Sequence, residues 1–329
     1  MNPGYSAVRN AVGLIDLTSR GKIRISGKDR LSFLHGILTQ DIKNLRPGEG
    51  RYAALLDAEA HLAADFNVFA FDHHLLIDCQ TVLTSKILRT FEKYLITEDV
   101  KPVDCTADFS WFGIEGPDAP ELLARLTEKH LDSLEPHAHA SGLIQGVPAE
   151  IFRFSFSGGP GFYLLSEKAA GQNLFDLILS KGKPLGIAPF GESVLQTLRI
   201  EAGIPWYGID FDEAIVLPEI GLDRAVSRTK GCYLGQESAA KIERAGGPEK
   251  KLTGFVIETR DLPPLTRKIF RRNKEAGYLT SAVFSPFMGG NIALGYLQKN
   301  ACPGEELELE PSGSREFLKI HSLPFFRRT

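Results

Sequence analysis

A repeated pattern of strand, turn and helix residues constrains the fold of this chain more than any other feature of its sequence. Residues 22–26 alternate polar and apolar side chains as a half-buried strand does, and an apolar helical face follows after the turn at Gly27. The pattern recurs 89 positions later, so that Ile25-x-Gly27-x-Asp29 matches Ile114-x-Gly116-x-Asp118. The repeat predicts two related halves of one sheet, packed under two helices.

Antiparallel hairpins and helices alternate along the rest of the first 247 residues. Residues 52–56 and 66–71 predict one hairpin, and residues 151–165 predict a second. The second hairpin turns at Gly158-Gly159-Pro160-Gly161, which is not a phosphate loop because no Gly-Lys-Ser/Thr follows it. Helices are predicted near 168–181 and 191–202. Hairpins mixed with helices favour an α+β fold over a doubly wound sheet.

The pattern of predicted elements changes after residues 246–248, a Gly-Gly-Pro stop that ends a helical run. Short strands separated by turns follow at 252–258, 277–284, 292–298, 306–309 and 317–320. Evenly spaced short strands are typical of a small barrel. The sequence therefore predicts an α+β body at 1–247 and a C-terminal β-barrel domain at 248–329.

Composition narrows the compartment and the classes of partner. The chain has 329 residues, of which 43% are hydrophobic, and this is enough for a substantial core and more than one domain. A formal net charge of −3 gives no overall attraction to DNA or to an acidic membrane. The N-terminus lacks a signal-peptide pattern, and no apolar run is long enough to span a bilayer. We therefore expect a cytoplasmic protein that binds neither DNA nor membranes. A monomer is our separate expectation.

The four cysteines, Cys79, Cys105, Cys232 and Cys302, are far apart and form no Cys-x-x-Cys pair. This spacing predicts neither a zinc site nor a disulfide framework nor a complete iron–sulfur cluster held by this chain alone. Cys232 differs from the others because it lies in a glycine-flanked segment directly before a helical run. Helix dipoles and nearby cations would favour its thiolate, which predicts a nucleophilic or metal-competent thiol. The alternative is a small buried apolar residue in a turn shaped by its glycines.

The run Lys-Gly-Cys-Tyr-x-Gly-Gln-Glu at 230–237 resembles the signature of the YgfZ family of folate-binding proteins, which are relatives of the aminomethyltransferase (T-protein) of glycine cleavage. The resemblance covers nearly the whole chain. It includes Gly-Lys-Ile-Arg-Ile-Ser-Gly at 21–27, Arg-Ile-Glu-Ala-Gly-Ile-Pro at 199–205 and Ser-Pro-Phe-Met-Gly-Gly-Asn-Ile-Ala-Leu-Gly-Tyr at 285–296. The first and last of these are similar in both branches, whereas the cysteine motif separates YgfZ from T-protein.

The resemblance implies an intertwined, ferredoxin-like α+β body and a small barrel, arranged as a three-lobed ring around a central hole that holds tetrahydrofolate. It also implies that Glu201 holds the pterin, because a carboxylate can accept hydrogen bonds from the amino group and ring N–H of the pterin edge. Glu201 lies in an apolar helical stretch, so the alternative is a partly buried ion pair with Arg199 or another basic residue.

Two residues of the cysteine motif are further candidate folate contacts. Lys230 is a counter-charge either to Cys232 or to the glutamate tail of folate, with a solvated side chain as the alternative. Gln236 lies at the predicted helix start, where capping of free backbone N–H groups is the structural alternative to a ligand contact.

Asp65 corresponds to a place where T-proteins have two consecutive aspartates, one of them catalytic near the folate nitrogen. Ala64 occupies the first of these positions, which departs from the T-protein arrangement and favours the YgfZ reading. We therefore expect Asp65 to contact the cofactor, and the alternative is an exposed hairpin residue.

Three functions follow from the resemblance. The leading one is a tetrahydrofolate-binding protein that supports assembly or repair of iron–sulfur clusters, with client enzymes or assembly proteins as its partners and Cys232 as its reactive residue. The second is an enzyme that passes an aminomethyl group from a lipoyl carrier to tetrahydrofolate. The third is a folate-dependent scaffold for RNA-modifying enzymes, such as those of tRNA modification, which the basic run at 267–274 favours.

Overall fold

The computed structural model describes residues 2–127, 134–259, 261–299, 305–310 and 316–327. Its helices are α1 Pro3–Asn10, α2 Arg30–Ile37, α3 Thr84–Tyr94, α4 Ala119–Thr127, α5 Gly171–Gly182, α6 Glu192–Glu201, α7 Leu217–Ile220 and α8 Gln236–Arg244. Its strands are β1 Gly13–Asp16, β2 Gly21–Ser26, β3 Gly50–Leu56, β4 Leu62–Ala70, β5 Leu75–Cys79, β6 Lys101–Asp104, β7 Phe109–Glu115, β8 His139–Ile144, β9 Val147–Arg153, β10 Gly161–Glu167, β11 Ala188–Pro189, β12 Lys250–Ile257, β13 Lys268–Arg271, β14 Lys274–Ser285, β15 Gly290–Gln298, β16 Glu306–Leu309 and β17 Phe317–His321.

The repeated strand–turn–helix units are present as β2–α2 and β7–α4, but they lie in two different sheets. β2 is central in a sheet of order β3-β4-β5-β2-β6, called sheet 1 below, and β7 is central in a sheet of order β11-β1-β7-β10-β9-β8, called sheet 2. The prediction of a single sheet is therefore wrong. Each repeated strand pairs on both sides with strands of its own sheet, so no edge is left to join the halves.

The C-terminal strands close into a barrel of order β12-β15-β14-β13-β16-β17, which confirms the predicted α+β fold with a small barrel. Each predicted barrel strand is present. The described barrel strand that was not predicted is β13, which lies in the basic run and is joined to β14 by a turn with Arg272 and Asn273 at positive φ. In the body, β1, β6 and β8 were not predicted either. The domain boundary at 247/248 and the ring around a central hole stay predictions.

The two faces of sheet 1 carry different chemistry. Residues such as Phe66, Val68 and Ile77 point to one face and pack with Leu34 of α2 and Ile87 of α3. Residues at the alternate positions of the same strands point to the opposite face, which we call the inner face. There, Phe69 and Leu76 join Trp111, Phe152, Phe154 and Tyr163 of sheet 2 in one buried cluster. The interface between the two sheets is therefore formed by the inner face on one side and by aromatic rings on the other.

None of the helices in the described ranges is long and apolar enough to cross a membrane.

Candidate functional site

Asp65 lies in the middle of β4, between buried Ala64 and Phe66 that point to the helix-covered face. Its Oδ2 accepts a hydrogen bond from the Tyr52 hydroxyl at 2.7 Å, and its Oδ1 is buried without a hydrogen-bond partner among the described residues. Burial raises the pKa of Asp65 to about 6, although the Tyr52 hydrogen bond and the Arg20 charge act in the opposite direction. Asp65 is therefore not the exposed hairpin residue of the alternative reading, while its contact with folate stays a prediction.

A row of polar side chains crosses the inner face beside Asp65. In the strand register Tyr52 lies opposite Asn67, Asn67 opposite Asp78, and Asp78 opposite Lys22. Arg20 binds the buried Asp78 with two hydrogen bonds of 2.6 and 3.0 Å, and Asn67 donates a third to it at 3.1 Å. This bidentate pair fixes the Arg20 guanidinium near Asp65. The guanidinium forms its ion pair with Asp78 and acts on Asp65 only through its charge.

Lys22 is fully buried at the end of the row. Its ammonium donates to the carbonyls of Thr18 and Arg20 at 2.9 and 2.8 Å, and it lies over the Trp111 ring. Burial lowers the pKa of Lys22 to about 8, with Asp78 acting in the opposite direction.

The aromatic residues of sheet 2 cover this row and bring further unpartnered polar atoms. The rings of Phe154 and Tyr163 stack at 4.2 Å, and His137 lies parallel to Phe154. Trp111 Nε1 and His137 Nδ1 are both buried without a hydrogen-bond partner among the described residues. Because buried polar atoms are nearly always partnered, this set requires an explanation. A carboxylate acceptor, an indole donor and an imidazole nitrogen together complement a heteroaromatic ligand that has both donors and acceptors.

Two cations lie close to His137. The pKa of His137 is lowered mainly by burial and further by the positive charges of Arg224 and Arg51. Both arginines are exposed, and in the described part of the chain neither forms an ion pair with a carboxylate. They give the edge of the layer a positive surface that suits an anionic group of a ligand.

Glu201, predicted to hold the pterin, lies elsewhere. Its carboxylate is fully buried at the end of α6 and accepts hydrogen bonds from Tyr5 at 2.8 and 3.0 Å, from Arg9 and from Ser285. The ion pair of the alternative reading exists, but its partner is Arg9, while Arg199 pairs with Asp210. Both oxygens of Glu201 therefore have protein partners, and its pterin contact stays an untested prediction.

Cys232 is exposed, in a loop before α8, so the buried alternative does not apply. The neighbouring Gly235 has φ +79° and packs so closely on Asp57 that a Cβ would lie 2.4 Å from the Asp57 carbonyl oxygen. The cysteine loop is thus held against the turn between β3 and β4. By contrast, Cys79 and Cys105 are buried, and burial raises the pKa of both thiols. Cys302 lies outside the described residues, and the reactivity of Cys232 stays a prediction.

The Lys230 ammonium is bound at the end of α2. It donates to the carbonyls of Leu38 and Gln40 at 2.6 and 3.2 Å and to that of His35. The His35 carbonyl is in the last turn of α2 and the other two follow its C-terminus, where a cation is favoured by the helix dipole. Burial lowers the pKa of Lys230 to about 8. Its three N–H donors are therefore occupied by the protein, and its contact with folate is untested.

Gln236 is the first residue of α8, as the sequence predicted for this helix start, and Gly235 precedes it as the cap residue without a side-chain cap hydrogen bond. Gly235 has no side chain that could cap, so the capping role predicted for Gln236 is not tested by this residue. The ligand contact predicted for Gln236 is untested.

The basic run in the barrel is largely neutralised. Arg267 pairs with Glu316, Lys268 with Glu275, and Arg271 with Glu305. These pairs lie along a hairpin of the barrel and leave less free positive charge for RNA than the sequence suggests.

The comparisons with known proteins agree with this architecture. The GCVT N-terminal domain model matches residues 2–230, and the glycine cleavage T-protein C-terminal barrel domain model matches residues 250–327. The crystal structure of the glycine cleavage system aminomethyltransferase T from Bartonella henselae superimposes with a TM-score of 0.89, covering 98% of this chain and 88% of that one. At 22% sequence identity, this likeness shows the same α+β fold with its barrel.

Curated relatives support the same grouping. A protein named aminomethyltransferase from Geobacillus kaustophilus is 29% identical to this chain, and the match covers 98% of this chain and 90% of the relative. A protein of the same name from Streptomyces coelicolor is 30% identical, and the match covers 98% of this chain and 89% of the relative. The chain belongs to the glycine cleavage T-protein family. Members of this family use tetrahydrofolate, in agreement with the predicted cofactor.

The sequence reading found Asp65 but missed the residues around it, namely Tyr52, Arg20, Asp78, Trp111 and His137. One signal was present in β4, where Asp65 and Asn67 alternate with Ala64, Phe66 and Val68. Polar residues at alternate positions of a predicted central strand indicate a buried polar face. The rest are brought together by the packing of two sheets, which no local pattern specifies.

Proposed function

We propose that this chain binds tetrahydrofolate between its two sheets and takes part in the transfer of a folate-borne one-carbon group, of the kind that its relatives named aminomethyltransferase carry out. The observation on which this depends is Asp65, which has one buried oxygen without a partner and a pKa raised to about 6. Family membership supports the cofactor, and the unpartnered atoms of Trp111 and His137 support a heteroaromatic ligand near the same layer.

In this proposal Asp65 binds and orients the cofactor. Its Oδ1 accepts an N–H of the reduced pteridine, while the Tyr52 hydroxyl holds Oδ2 and fixes the plane of the carboxylate. Tetrahydrofolate supplies the nitrogen atoms that carry the one-carbon group. Because its pKa is close to neutral, Asp65 can hold a proton in a fraction of the molecules and release it to a nearby nitrogen or water. Arg51 and Arg224 bind the anionic glutamate tail.

The departure at Ala64, which favours YgfZ over T-protein by resemblance, leaves a single acid for the proposed role. Only one carboxylate remains at this point of β4, so Asp65 alone would carry both the contact and the proton, where T-proteins have two adjacent aspartates. A single acid with a raised pKa can act as donor or acceptor at neutral pH, but it works without the charge of a second carboxylate. Slow turnover compared with two-aspartate relatives is the expected consequence.

Replacement of Asp65 by Asn tests the proposal. Titration calorimetry with tetrahydrofolate under anaerobic conditions should give at least tenfold weaker binding for Asp65→Asn, because a charge-assisted hydrogen bond contributes roughly 1.5–3 kcal/mol. Asp72→Asn, at an exposed aspartate in the turn between β4 and β5, is the matched control and should bind as the wild type does. Equal affinity of wild type and Asp65→Asn would contradict the proposal.

A second candidate function, support of iron–sulfur cluster assembly or repair, is favoured by the exposed position of Cys232 in a loop flanked by glycines. Cys232→Ser distinguishes the two functions in one pair of assays. Under aminomethyl transfer, the variant keeps wild-type turnover with an aminomethyl-lipoyl carrier and tetrahydrofolate. Under cluster support, the variant fails to restore the activity of cluster-dependent enzymes in a deletion strain that the wild type rescues.

A further inference from the structure

A small cavity lies where the N-terminal helix, the Gly158–Gly159–Pro160 turn, the barrel and the C-terminal segment meet. It has a volume of about 280 Å³ and is lined by Arg9 of α1, Gly159 and Pro160 of the turn, Phe287 of the β14–β15 hairpin, and Phe326 and Arg327 near the C-terminus. This volume is near the lower end of the range for small-molecule sites. The cavity shares no lining residue with the layer around Asp65, so a ligand there would be distinct from the folate proposed above.

Arg9 gives the cavity an unsatisfied donor. Its side chain is 8% exposed, and its NH1 and NH2 groups donate to the Ser157 carbonyl and to Glu201. Its Nε is buried and has no hydrogen-bond partner among the described residues. A buried arginine donor left unpaired beside a cavity is the kind of group that a bound acceptor would satisfy.

The charge of the cavity is positive at its outer side. Arg327 is exposed; its guanidinium donates to the Leu323 carbonyl at 3.2 Å and forms no ion pair with a described carboxylate. The Gly159 backbone N–H likewise has no hydrogen-bond partner in the described part of the chain. Among the described lining residues there is no carboxylate to neutralise a cation. An anionic group is therefore favoured over a neutral or cationic one.

The walls of the cavity are aromatic. Phe287, half exposed, meets Phe326 edge to face at 5.0 Å between ring centroids, and the Arg9 guanidinium lies 3.7 Å over the Phe326 ring. Pro160 and Pro117 add flat apolar surface. A bare phosphate or sulfate would leave these rings without contacts, whereas a planar aromatic ring would pack against them.

We propose that this cavity is a second binding site, which takes a small planar aromatic carboxylate. The ring lies between Phe287 and the proline surface, and the carboxylate accepts hydrogen bonds from Arg9 Nε, Arg327 and the Gly159 N–H. Such a ligand contacts the α+β body, the barrel and the C-terminal segment at once. Its binding therefore holds the barrel against the body and raises the midpoint of thermal unfolding.

Benzoate is the probe for this proposal, measured by ligand-observed NMR titration on the full chain. We expect saturable binding that is at least tenfold tighter than that of benzamide, which lacks the charge, and of inorganic phosphate, which lacks the ring. Equal affinity for benzoate and benzamide, or for benzoate and phosphate, would overturn the proposal. The same holds if benzoate does not bind at all.

Variants locate the site without disturbing the Arg9–Glu201 pair, whose loss endangers folding. Arg327→Gln and Phe287→Ala should each weaken benzoate binding at least fivefold. The matched controls are Arg272→Gln, at an exposed barrel arginine, and Phe284→Ala, at an exposed phenylalanine of the same hairpin outside the cavity lining; both should bind benzoate as the wild type does. Unchanged binding in Arg327→Gln and Phe287→Ala overturns the assignment. This readout uses no folate, so its failure is separate from a failure of the proposed function.

Discussion

Buried carboxylates in this molecule differ in whether their oxygens are fully partnered. Glu115 accepts hydrogen bonds from Ser155 and from the N–H groups of Phe156 and Ser157, besides that of Tyr163. Asp210 is likewise surrounded, by Thr280 and Ser281 at one oxygen and by Arg199 and the Trp206 N–H at the other. These acids organise local structure, because every lone pair that they bury is satisfied by the protein. Asp65 is the exception on the inner face, which is why we propose it as the residue that binds the cofactor.

The raised pKa of Asp65 means that its ionised carboxylate, which is proposed to bind the cofactor, lowers the stability of the folded protein. Its pKa rises from 3.8 to about 6 on folding, so the folded state binds more protons than the unfolded state between these pH values. The free energy of unfolding therefore falls as pH rises from about 4 through 6, by roughly 2–3 kcal/mol for an enclosed carboxyl. Asp65→Asn removes this ionisation, so we expect the variant to be about 1–2 kcal/mol more stable than wild type at pH 7.

Urea unfolding at several pH values checks this. The stability difference between Asp65→Asn and wild type should vanish below pH 4, where both side chains are neutral. Asp72→Asn should show no such pH-dependent difference, since Asp72 is exposed. A variant that loses stability at pH 7 would mean that the carboxylate is held by favourable interactions, contrary to its unpartnered oxygen.

The repeated strand–turn–helix unit shows how far local pattern reaches at the scale of elements. The longer helices of the body, the hairpin of β3 and β4, and the barrel strands other than β13 follow from periodicity and turn residues, whereas the helices α1 and α7 were not predicted. The assignment of the two units to separate sheets does not follow from these patterns. Hydrophobic periodicity predicts which residues are buried, but it does not predict which strands pair with each other. β13 was not predicted because it is only four residues long and two of them, Lys268 and Arg271, are basic; both pair with glutamates.

The glycine of each unit is required by the turn from strand to helix. Gly116 has φ +130°, and a Cβ there would lie 2.5 Å from the Ala11 carbonyl oxygen. We expect Gly116→Ala to lower the free energy of unfolding by at least about 2 kcal/mol, from backbone strain and the clash together. Gly36→Ala is the control within the equivalent unit: this helical glycine has open space around it, and alanine should stabilise by roughly 0.5–1 kcal/mol. Chemical unfolding of both variants measures these changes. Similar changes in the free energy of unfolding in the two variants would contradict the role assigned to Gly116 in the turn.

At the scale of the whole molecule, one buried network joins the barrel to the α+β body. Glu201 of α6 accepts hydrogen bonds from Tyr5 and Arg9 of α1 and from Ser285 of the barrel, while its carbonyl accepts from the Phe326 N–H of the C-terminal segment. These four segments are far apart in sequence, so their meeting depends on the complete fold. The apolar setting of Glu201 predicted a partnered carboxylate, but the sequence could not identify the partner because Arg9 lies 192 residues away.

Glu201→Gln therefore tests whether this acid is a structural tie or a pterin ligand. The variant leaves Arg9 buried beside a neutral amide. Breaking a buried ion pair costs about 3–5 kcal/mol, and a hydrogen bond from Arg9 to the amide oxygen offsets part of this cost. We expect a loss of about 2–4 kcal/mol in guanidinium unfolding, with faster proteolysis of the barrel. Glu258→Gln, which breaks the exposed Glu258–Lys319 pair of the barrel, should lose less than about 1 kcal/mol. Affinity for tetrahydrofolate, measured below the unfolding transition, should be unchanged in Glu201→Gln. If the variant had wild-type stability but no longer bound folate, Glu201 would be the pterin ligand instead. In that case Arg9 and Tyr5 would have to give up their hydrogen bonds to Glu201 when the cofactor binds.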